Sequence, residues 1–342
     1  MANKNNKKQA PVSATTAATT APKYKPKVVL RTYQASDHEE VEYLFRSSSA
    51  PLVFESMRSK IWSPATWFIW FGVYTILLLV LPKTVSTRIV ELSGWYDTLF
   101  RAFITFCWAV VSVIILFVTS DRIELQNYID EALANDLKDP ELYYLNYTLD
   151  SDGNKVRKAP EEHMPSHFWV LTLDDEICGM VGLSSNAEDV LDQRTMLPVP
   201  WKQFTCAILE LLHLPVPAML EQGRVNDKEI IFANKQVPRT ATITRLYVRT
   251  DAQTCGFSTL LVNRAMAFAE EHGVNRVYAM VDERNMAAEQ ILTRRHKFII
   301  MKKHRLNSFG KFRYLYACRV HEWMENNGDK IRKVFKKSET TK

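Results

Sequence analysis

The sequence lacks the cysteine patterns that mark disulfide frameworks and structural zinc sites. Its five cysteines stand at positions 107, 178, 206, 255 and 318, and no two of them form a C-x-x-C pair. An odd and scattered set of this kind argues against both a disulfide network and a tetrahedral zinc centre. We therefore expect unpaired thiols and no metal site.

The two ends of the chain lack the apolar residues that would order them. The first thirty residues contain no apolar h-region, so we expect no cleavable signal peptide. Residues 1–27 and 323–342 are predicted to be basic, disordered tails, because such segments bury too little apolar surface to fold. No arginine or aromatic stripe accompanies their lysines, and we therefore expect no nucleic-acid partner.

Charge is also absent from two long internal runs, residues 61–82 and residues 102–120. Each approaches the ~20 apolar residues that cross a bilayer core of about 30 Å. Tryptophans near their ends fit interfacial belts. The alternative is a pair of buried core helices, but soluble helices seldom continue for nineteen residues without a charge. We predict a transmembrane hairpin over residues 61–120, with both termini on one side, which the basic N-terminal tail suggests is the cytosolic side.

The remaining composition is that of a folded protein, with 46% hydrophobic and 24% charged residues and a mild net charge of +6. Several local patterns predict elements. FWVLTLDDEICGMVGL indicates a β-hairpin, and residues 121–145 indicate an amphipathic helix that stops at Pro140. The end of the chain predicts two strands around a turn at Asn307–Gly310. A helix predicted at Trp201–Leu214 leaves three roles open: a membrane-surface helix, a lid, or simple packing.

The most informative segment runs from Ala241 to Phe298. ATITRLYV alternates as a strand does, and TLLVNRAMAFAEEHG is typical of a helix that stops at Gly273. Between them, Gly256 stands where the helix begins, and the unpaired N–H groups of a helix N-terminus form a ready anion site. RVYAMV predicts a second strand, after which Asn285 opens another helix. One face of the first helix is apolar: Leu260, Leu261, Ala265, Phe268 and Ala269.

This order resembles the GCN5-related N-acetyltransferase (GNAT) superfamily, whose pyrophosphate signature is Q/R-x-x-G-x-G/A. Gln253, Gly256 and Ser258 fill the signature, with serine in place of the last glycine or alanine. VLRTYQASDHEEVEYLF, the two uncharged runs and FWVLTLDDEICGMVGL together look like the membrane-bound cysteine-conjugate and camello-like N-acetyltransferases. The resemblance extends from about Val28 to Val320.

The resemblance implies an α/β (α+β) fold with a mixed central sheet flanked by helices and interrupted by the membrane hairpin. Residues 28–60 would supply its first strand and helix, and residues 121–322 the N-acetyltransferase domain with a divergent insertion at 186–239. The implied activity is transfer of acetyl from acetyl-CoA to an amine acceptor, namely a cysteine conjugate, a lysine or a small amine. The implied location is the membrane of the endoplasmic reticulum, with the lipid bilayer as a partner.

The resemblance also assigns cofactor contacts. The pantetheine arm is expected on the backbone of Leu246, Tyr247 and Val248. Asn285 is expected either to bond the cofactor or to cap its helix. The pyrophosphate is expected on a loop of six residues: Gln253, Thr254, Cys255, Gly256, Phe257 and Ser258.

The catalytic groups of the superfamily are not matched. Thr293 stands where relatives place a tyrosine acid, Lys297 replaces the usual glycine before Phe298, and Arg245 replaces a histidine or glutamate on the central strand. The catalytic residues are therefore unassigned, with only three weak candidates: Asn285, Glu283 and Tyr278. Two interpretations remain, an active membrane-anchored N-acetyltransferase and a non-catalytic acyl-CoA-binding relative that acts as a membrane partner protein. A hairpin that only wedges membranes would leave the loop motif without a purpose.

Overall fold

The computed structural model describes residues 26–88, 94–221, 223–226, 229–283, 285–306 and 312–328. Most of the two predicted tails and the predicted turn at Asn307–Gly310 lie outside these residues. Residues 320–328 are helical, and the Trp323 side chain is only 3% exposed, because it packs into the core. Residues 323–328 therefore belong to the folded domain, and not to a basic tail.

A seven-stranded mixed sheet organises the domain. Its spatial order is β1-β2-β3-β4-β5-β7-β6, and every neighbouring pair is antiparallel except β4 and β5, which run parallel. This mixed sheet flanked by helices is the GNAT-like architecture that the sequence predicts. The strands are β1 Val28–Thr32, β2 His167–Leu173, β3 Glu176–Ser184, β4 Thr240–Val248, β5 Arg276–Asp282, β6 Ile299–Arg305 and β7 Phe312–Arg319.

The predicted hairpin FWVLTLDDEICGMVGL is confirmed as the antiparallel pair β2–β3. Its two turn residues, Asp174 and Asp175, have φ values of 54° and 69°. Two successive left-handed residues give the turn the twist that matches the flanking strands, and aspartate tolerates that conformation. The acidic pair therefore closes the hairpin.

Helices cover both faces of the sheet. On one face, α9 and residues 320–328 pack on the strands, and on the other face α1, α2, α5 and α6 do so. Alternate residues of β2 enter the two cores, because successive strand side chains point to opposite faces. The helices are α1 His38–Ser49, α2 Leu52–Ile61, α3 Pro64–Arg88, α4 Trp95–Val118, α5 Gln126–Ala134, α6 Pro140–Tyr144, α7 Pro200–Leu211, α8 Ala218–Glu221, α9 Phe257–Glu271 and α10 Met286–Gln290.

The two uncharged runs form α3 and α4, which are long and apolar enough to cross a membrane by length and composition. Their mutual contacts include a hydrogen bond of 2.7 Å from Trp70 Nε1 to Ser112 Oγ. The most apolar window of α3 is 0% buried, and that of the second helix is 17% buried. The two helices are therefore exposed, and they are not the buried core helices of the alternative interpretation.

The second of these helices continues into the domain. Residues Trp95–Ala134 form one 40-residue helix in which α4 passes through a π-helical segment, Thr119–Leu125, into α5. The helix predicted for residues 121–145 is therefore the last part of this 40-residue helix. The 40-residue helix ends at Ala134, well before Pro140. That proline starts α6 instead, because Asp139 accepts the N–H groups of Glu141 and Leu142 and proline suits the first helical position.

The insertion between β3 and β4 forms α7, α8 and two short pairs of strands. Gln203 on α7 exchanges two amide hydrogen bonds with Asn127 on α5, at 3.1 and 2.7 Å. The predicted helix therefore packs on the inward continuation of α4. The short pairs are Val190–Leu191 with Ile231–Ala233 and Met196–Leu197 with Arg224–Val225, while a further pair outside the insertion joins Tyr147–Leu149 to Lys155–Arg157.

Candidate functional site

A cleft opens where the two parallel strands diverge. β4 and β5 pair only from Thr240 to Ile243, opposite Arg276 to Ala279, although both strands continue beyond these residues. On its other side β4 changes register against β3 between Thr244 and Tyr247. This β-bulge bends the strand and leaves its far end turned into the gap. Within the described part of the chain, no strand pairs with that end of β4 on the β5 side.

The cleft has a volume of about 690 Å³ and is enclosed by α2, the loop before α9, and α10. The backbone segment expected to hold a pantetheine arm, Leu246 to Val248, lines it. Cys255 is exposed and does not line it, so one of the predicted contacts faces away. The other predicted contacts all line the cleft: Gln253, Thr254, Gly256, Phe257, Ser258 and Asn285.

The loop before α9 has the geometry of an anion site. Gly256 is the N-cap of α9 with a φ of +84°, a conformation that favours glycine. A Cβ built on Gly256 would meet no heavy atom within 4 Å, so the space beside the loop is open. α9 is fifteen residues long and presents its positive end here. Arg294 and Arg295 line the same cleft and add positive charge. These residues fit a polyphosphate such as the one in coenzyme A.

Sequence reasoning missed the two arginines. They follow α10 in a π-helical segment, Ile291–Arg295, one and two residues beyond Thr293. The sequence does contain the basic pair Arg294 and Arg295 shortly before Phe298. Helical periodicity, however, does not show that the segment carrying this pair faces the glycine loop. Arg295 Nη1 reaches Thr259 Oγ1 on α9 at 3.5 Å, which brings the two segments together.

Asn285 acts as a helix cap in this structure. Its Oδ1 accepts the N–H of Ala288 at 3.1 Å, and it precedes the first residue of α10. Its position on the wall of the cleft is compatible with a cofactor contact as well.

Three residues depart from the superfamily pattern, Thr293, Lys297 and Arg245, and the structure shows what each side chain or backbone does instead. Thr293 Oγ1 donates to Glu289 O within its own helix, at 2.7 Å. Lys297 has a φ of 58°, so the left-handed conformation that a glycine would adopt is retained without glycine. Arg245, which is itself at a φ of 47° in the bulge, turns its guanidinium into a buried network.

That network lies behind the central strand. Arg245 donates to both carboxylate oxygens of Asp136 and, at 3.1 Å, to Tyr128 Oη. Tyr144 Oη donates to Asp136 at 2.6 Å, and Tyr128 and Tyr247 share a hydrogen bond of 2.8 Å. Burial raises the pKa of Tyr247 and of Tyr144 well above the usual value, and Asp136 adds to the rise at Tyr144. Both phenols are therefore neutral over the physiological range.

A smaller cavity of about 240 Å³ adjoins the cleft, and the two share five lining residues: Leu52, Leu246, Tyr247, Asn285 and Ala288. One wall is the inward continuation of the second long helix, which contributes Glu124, Tyr128 and Glu131 at helical spacing. Asp282 lies on the β5 side, and Phe232 of the insertion also lines the cavity. We call this cavity the acceptor pocket.

Its carboxylates differ in their surroundings. Glu124 accepts from Ser56 Oγ at 2.7 Å and lies 3.2 Å from Lys60 Nζ, so its charge is compensated. Glu131 is half-buried and faces the pocket across from β4. Arg245 is paired with Asp136, and Arg313 also lines the pocket. The lining has three carboxylates, Glu124, Glu131 and Asp282, against these two guanidinium groups, and a negative balance of this kind suits an ammonium group.

The other two catalytic candidates lie outside the acceptor pocket. Tyr278 is on β5, opposite Thr242 of β4, and lines neither cavity as the described residues define them. Glu283 accepts the N–H of Phe312 at 3.2 Å and faces a separate groove beside α3. Neither side chain is brought to the gap between β4 and β5.

Comparison with known proteins shows a family similarity for the region around the glycine loop. A family model described as "Acetyltransferase (GNAT) family" matches residues 222–298, which include β4, the loop, α9, β5 and α10. A search of curated proteins gave no match. Residues 222–298 are therefore similar to the GNAT acetyltransferase family, whose enzymes use acetyl-CoA as co-substrate and transfer acetyl to an amine.

Solved structures show similarity at low identity. An acetyltransferase of the GNAT family from Staphylococcus aureus Mu50 is 11% identical over 86% of this chain and 99% of its own, with a TM-score of 0.38. One from Streptococcus pneumoniae is 16% identical over 55% and 90%, with a TM-score of 0.29. The ribosomal-protein-S18-alanine N-acetyltransferase from Escherichia coli is 12% identical over 53% and 86%, with a TM-score of 0.28. At these TM-scores the three likenesses carry no argument about substrate.

Proposed function

We propose that this protein is a membrane-anchored, acetyl-CoA-dependent N-acetyltransferase of the cysteine-conjugate and camello-like type. The observation that carries the proposal is the junction of two cavities at the divergence of β4 and β5. One has a helix N-terminus and two arginines for phosphates, and the other has carboxylates for an amine. An anion site alone would be enough for a protein that only binds the cofactor. The adjoining acidic pocket, by contrast, is suited to a second substrate that carries a positive charge.

The cofactor arm would lie along Leu246 to Val248, with its phosphates at Gln253 to Ser258 except Cys255. Acetyl-CoA supplies a thioester. The amine nitrogen forms a bond to its carbonyl carbon, the carbon–sulfur bond breaks, the electron pair leaves on sulfur, and the amine releases a proton. Backbone N–H groups at the bulge are suited to stabilise the oxyanion, a contribution of about 3 kcal/mol by analogy with other such donors.

No tyrosine stands at position 293 to protonate the thiolate. A thiol of pKa about 8.5 leaves as the anion without an acid, so this loss slows turnover and does not abolish it. On the acceptor side, Glu131 is the group we assign to hold the ammonium and to take up its proton, because it faces the pocket while Glu124 is paired with Lys60.

α3 and α4 anchor the enzyme, and two spans place both chain ends on one side. The cytosolic side of the endoplasmic reticulum is our proposal, on the basis of the basic N-terminal segment and the resemblance to camello-like enzymes. The alternative function, a membrane partner protein that binds acyl-CoA without turnover, predicts cofactor binding but no thiol release.

The direct test is release of free CoA thiol by the full-length protein in detergent or vesicles, over a panel of primary amines. Glu131→Gln is expected to raise the KM for the amine by about tenfold, since one charge-assisted contact is lost. Exposed Glu161→Gln is the matched control and should change nothing. Tight acetyl-CoA binding with no thiol release for any amine would favour the non-catalytic interpretation.

A further inference from the structure

One face of α2 connects the acceptor pocket to the first membrane helix. We call the cleft of about 690 Å³ beside the glycine loop the cofactor cleft. Leu52 lines the acceptor pocket, Glu55 lines the cofactor cleft, and Ser59 and Trp62 line a third cavity at the start of α3. Their spacing of three, four and three residues places all four side chains on the same side of the helix. At 1.5 Å per residue, the distance from Leu52 to Trp62 is about 15 Å.

The third cavity is an open groove of about 860 Å³ between the beginning of α3 and the region of α10. Its apolar part is formed by Trp62, Pro64 and Phe68, and the Trp62 and Phe68 side chains are each 79% exposed. Phe68 is on the uncharged run, near the start of α3. If α3 spans the membrane as proposed above, the groove is continuous with the surface that faces hydrocarbon.

The opposite part of the groove is polar and acidic on balance. Glu55, Glu283 and Glu289 line it, against Arg58 and Arg305. Glu55 and Met286 also line the cofactor cleft, so the groove and the cleft share a border. A ligand that followed this border would pass from an apolar surface, across carboxylates, to the pocket that holds Glu131.

We propose that the acceptor is a membrane amphiphile with a primary amine at its head and a single long hydrocarbon chain. The inference rests on the proposed acetyltransferase function and names the substrate class of that same site. The amine would occupy the small acidic pocket, and the chain would follow α2 to Trp62 and Phe68. A water-soluble amine makes no use of the groove, and an acceptor pocket of about 240 Å³ admits only a slender head.

The transfer step is the same as for any amine. The nitrogen of the amphiphile bonds to the acetyl carbon, the thioester carbon–sulfur bond breaks, and one proton passes to Glu131 and then to solvent. The products are an N-acetyl amphiphile, which has lost its positive charge, and free CoA. A reaction that exposes a primary amine on a hydrocarbon chain must therefore supply the substrate.

The test uses the full-length protein in phosphatidylcholine vesicles, with acetyl-CoA and unbranched alkylamines from propylamine to hexadecylamine. CoA thiol release is followed for each amine. Chains of fewer than about a dozen carbons span less than the roughly 15 Å of α2 and should gain little, because Glu55 and Ser59 line that stretch. Each further methylene that becomes buried against Trp62 and Phe68 is expected to raise kcat/KM by about fourfold.

A pair of variants separates the groove from simple partitioning into lipid. Phe68→Ser should lower kcat/KM for hexadecylamine by about five- to tenfold and leave propylamine unchanged. Phe106→Ser is the matched control, because Phe106 is 68% exposed on α4 and does not line the groove. Both variants leave the partitioning of the amine unaltered.

The outcomes are distinct. Equal rates for propylamine and hexadecylamine, or equal losses in the two variants, would overturn the amphiphile assignment and leave the acetyltransferase function standing. Acetylation confined to lysines of a membrane-tethered peptide would overturn it in favour of a protein acceptor. The absence of thiol release with every amine and peptide would contradict the proposed function itself.

Discussion

The guanidinium of Arg245 binds the carboxylate of Asp136 through two hydrogen bonds, Nε to Oδ2 at 2.8 Å and Nη2 to Oδ1 at 2.6 Å. The two side chains are 10% and 2% exposed. The guanidinium also lies over the rings of Phe45 and Tyr128, at 5.2 and 5.6 Å. At the position where members of the GNAT superfamily are expected to carry a histidine or glutamate, this chain therefore has a structural ion pair that joins β4 to the loop after α5.

Arg245→Met should destabilise the domain by about 3–5 kcal/mol, because the buried Asp136 carboxylate keeps its hydrogen bond from Tyr144 but loses the positive charge that compensates it. The double variant Arg245→Met with Asp136→Leu should recover most of that loss, since an apolar pair carries no uncompensated charge. Thermal unfolding in detergent measures both. A double variant as unstable as the single one would mean that the ion pair contributes packing that these side chains do not replace.

Lys297→Gly should stabilise the protein by about 1 kcal/mol. The lysine holds a φ of 58°, and left-handed backbone costs residues with a Cβ roughly 1–2 kcal/mol. The greater freedom of glycine in the unfolded chain offsets part of the gain. Lys297→Ala is the control, because it removes the charge and keeps the Cβ. A gain with alanine equal to the gain with glycine would attribute the effect to charge.

Stability should fall in mild acid because of two histidines, the buried His296 and the half-buried His167. Burial lowers the pKa of His296 and of His167 to about 4, with Arg295 and Arg264 adding to the effect. Unfolded histidine titrates near 6.5, so the unfolded state binds more protons between about pH 6.5 and 4. The stabilisation is complete above pH 6.5 and is lost by about 1.4 kcal/mol per pH unit for each histidine as the pH falls.

His296→Phe should flatten the dependence of unfolding temperature on pH between 6.5 and 4, because its ring stacks on Trp323 without a titrating group. His321→Phe, on an exposed side chain, is the control. An unchanged slope in His296→Phe would show that other groups produce the acid sensitivity.

Much of the fold follows from periodicity in the sequence. Alternation predicted β4 and β5, helical spacing predicted α9, and Gly256 and Gly273 marked its two ends, where both residues have positive φ. The uncharged runs predicted α3 and α4. These features depend on neighbours in the chain, which is why they can be read without a structure.

The acceptor pocket could not be predicted in the same way. Glu124, Tyr128 and Glu131 occupy one face of a helix, but the pattern does not tell which polar face meets the sheet. The bulge at Arg245 depends on pairing with β3, and the continuity of α4 with α5 depends on a π-helical segment. Such features arise from contacts between segments that are far apart in sequence.

The side of the membrane can be tested at the sequon Asn146-Tyr-Thr148. Both ends of the Asn146 amide bond the backbone of Met164, at 3.0 and 2.9 Å, so replacing this residue would disturb the loop. Thr148 is exposed, and Thr148→Ala removes the sequon without touching those bonds. With a cytosolic domain, glycosidase should not change the gel mobility of the protein from secretory-competent cells.

A glycosidase-sensitive shift that vanishes in Thr148→Ala would place the domain in the lumen and overturn the proposed orientation. Protease protection in sealed vesicles completes the measurement. A cytosolic domain is digested without detergent, whereas a lumenal one is protected until detergent is added.

Titration calorimetry with two matched variants shows whether the loop at Gly256 holds the phosphates of acetyl-CoA. Aspartate and asparagine have nearly the same shape and both tolerate left-handed backbone, so Gly256→Asp and Gly256→Asn differ in charge alone. We expect asparagine to keep acetyl-CoA affinity within a few-fold and aspartate to weaken it by at least about tenfold, because its charge repels the phosphates. Equal, undiminished affinity in both variants, with normal unfolding temperatures, would contradict the assignment of this loop.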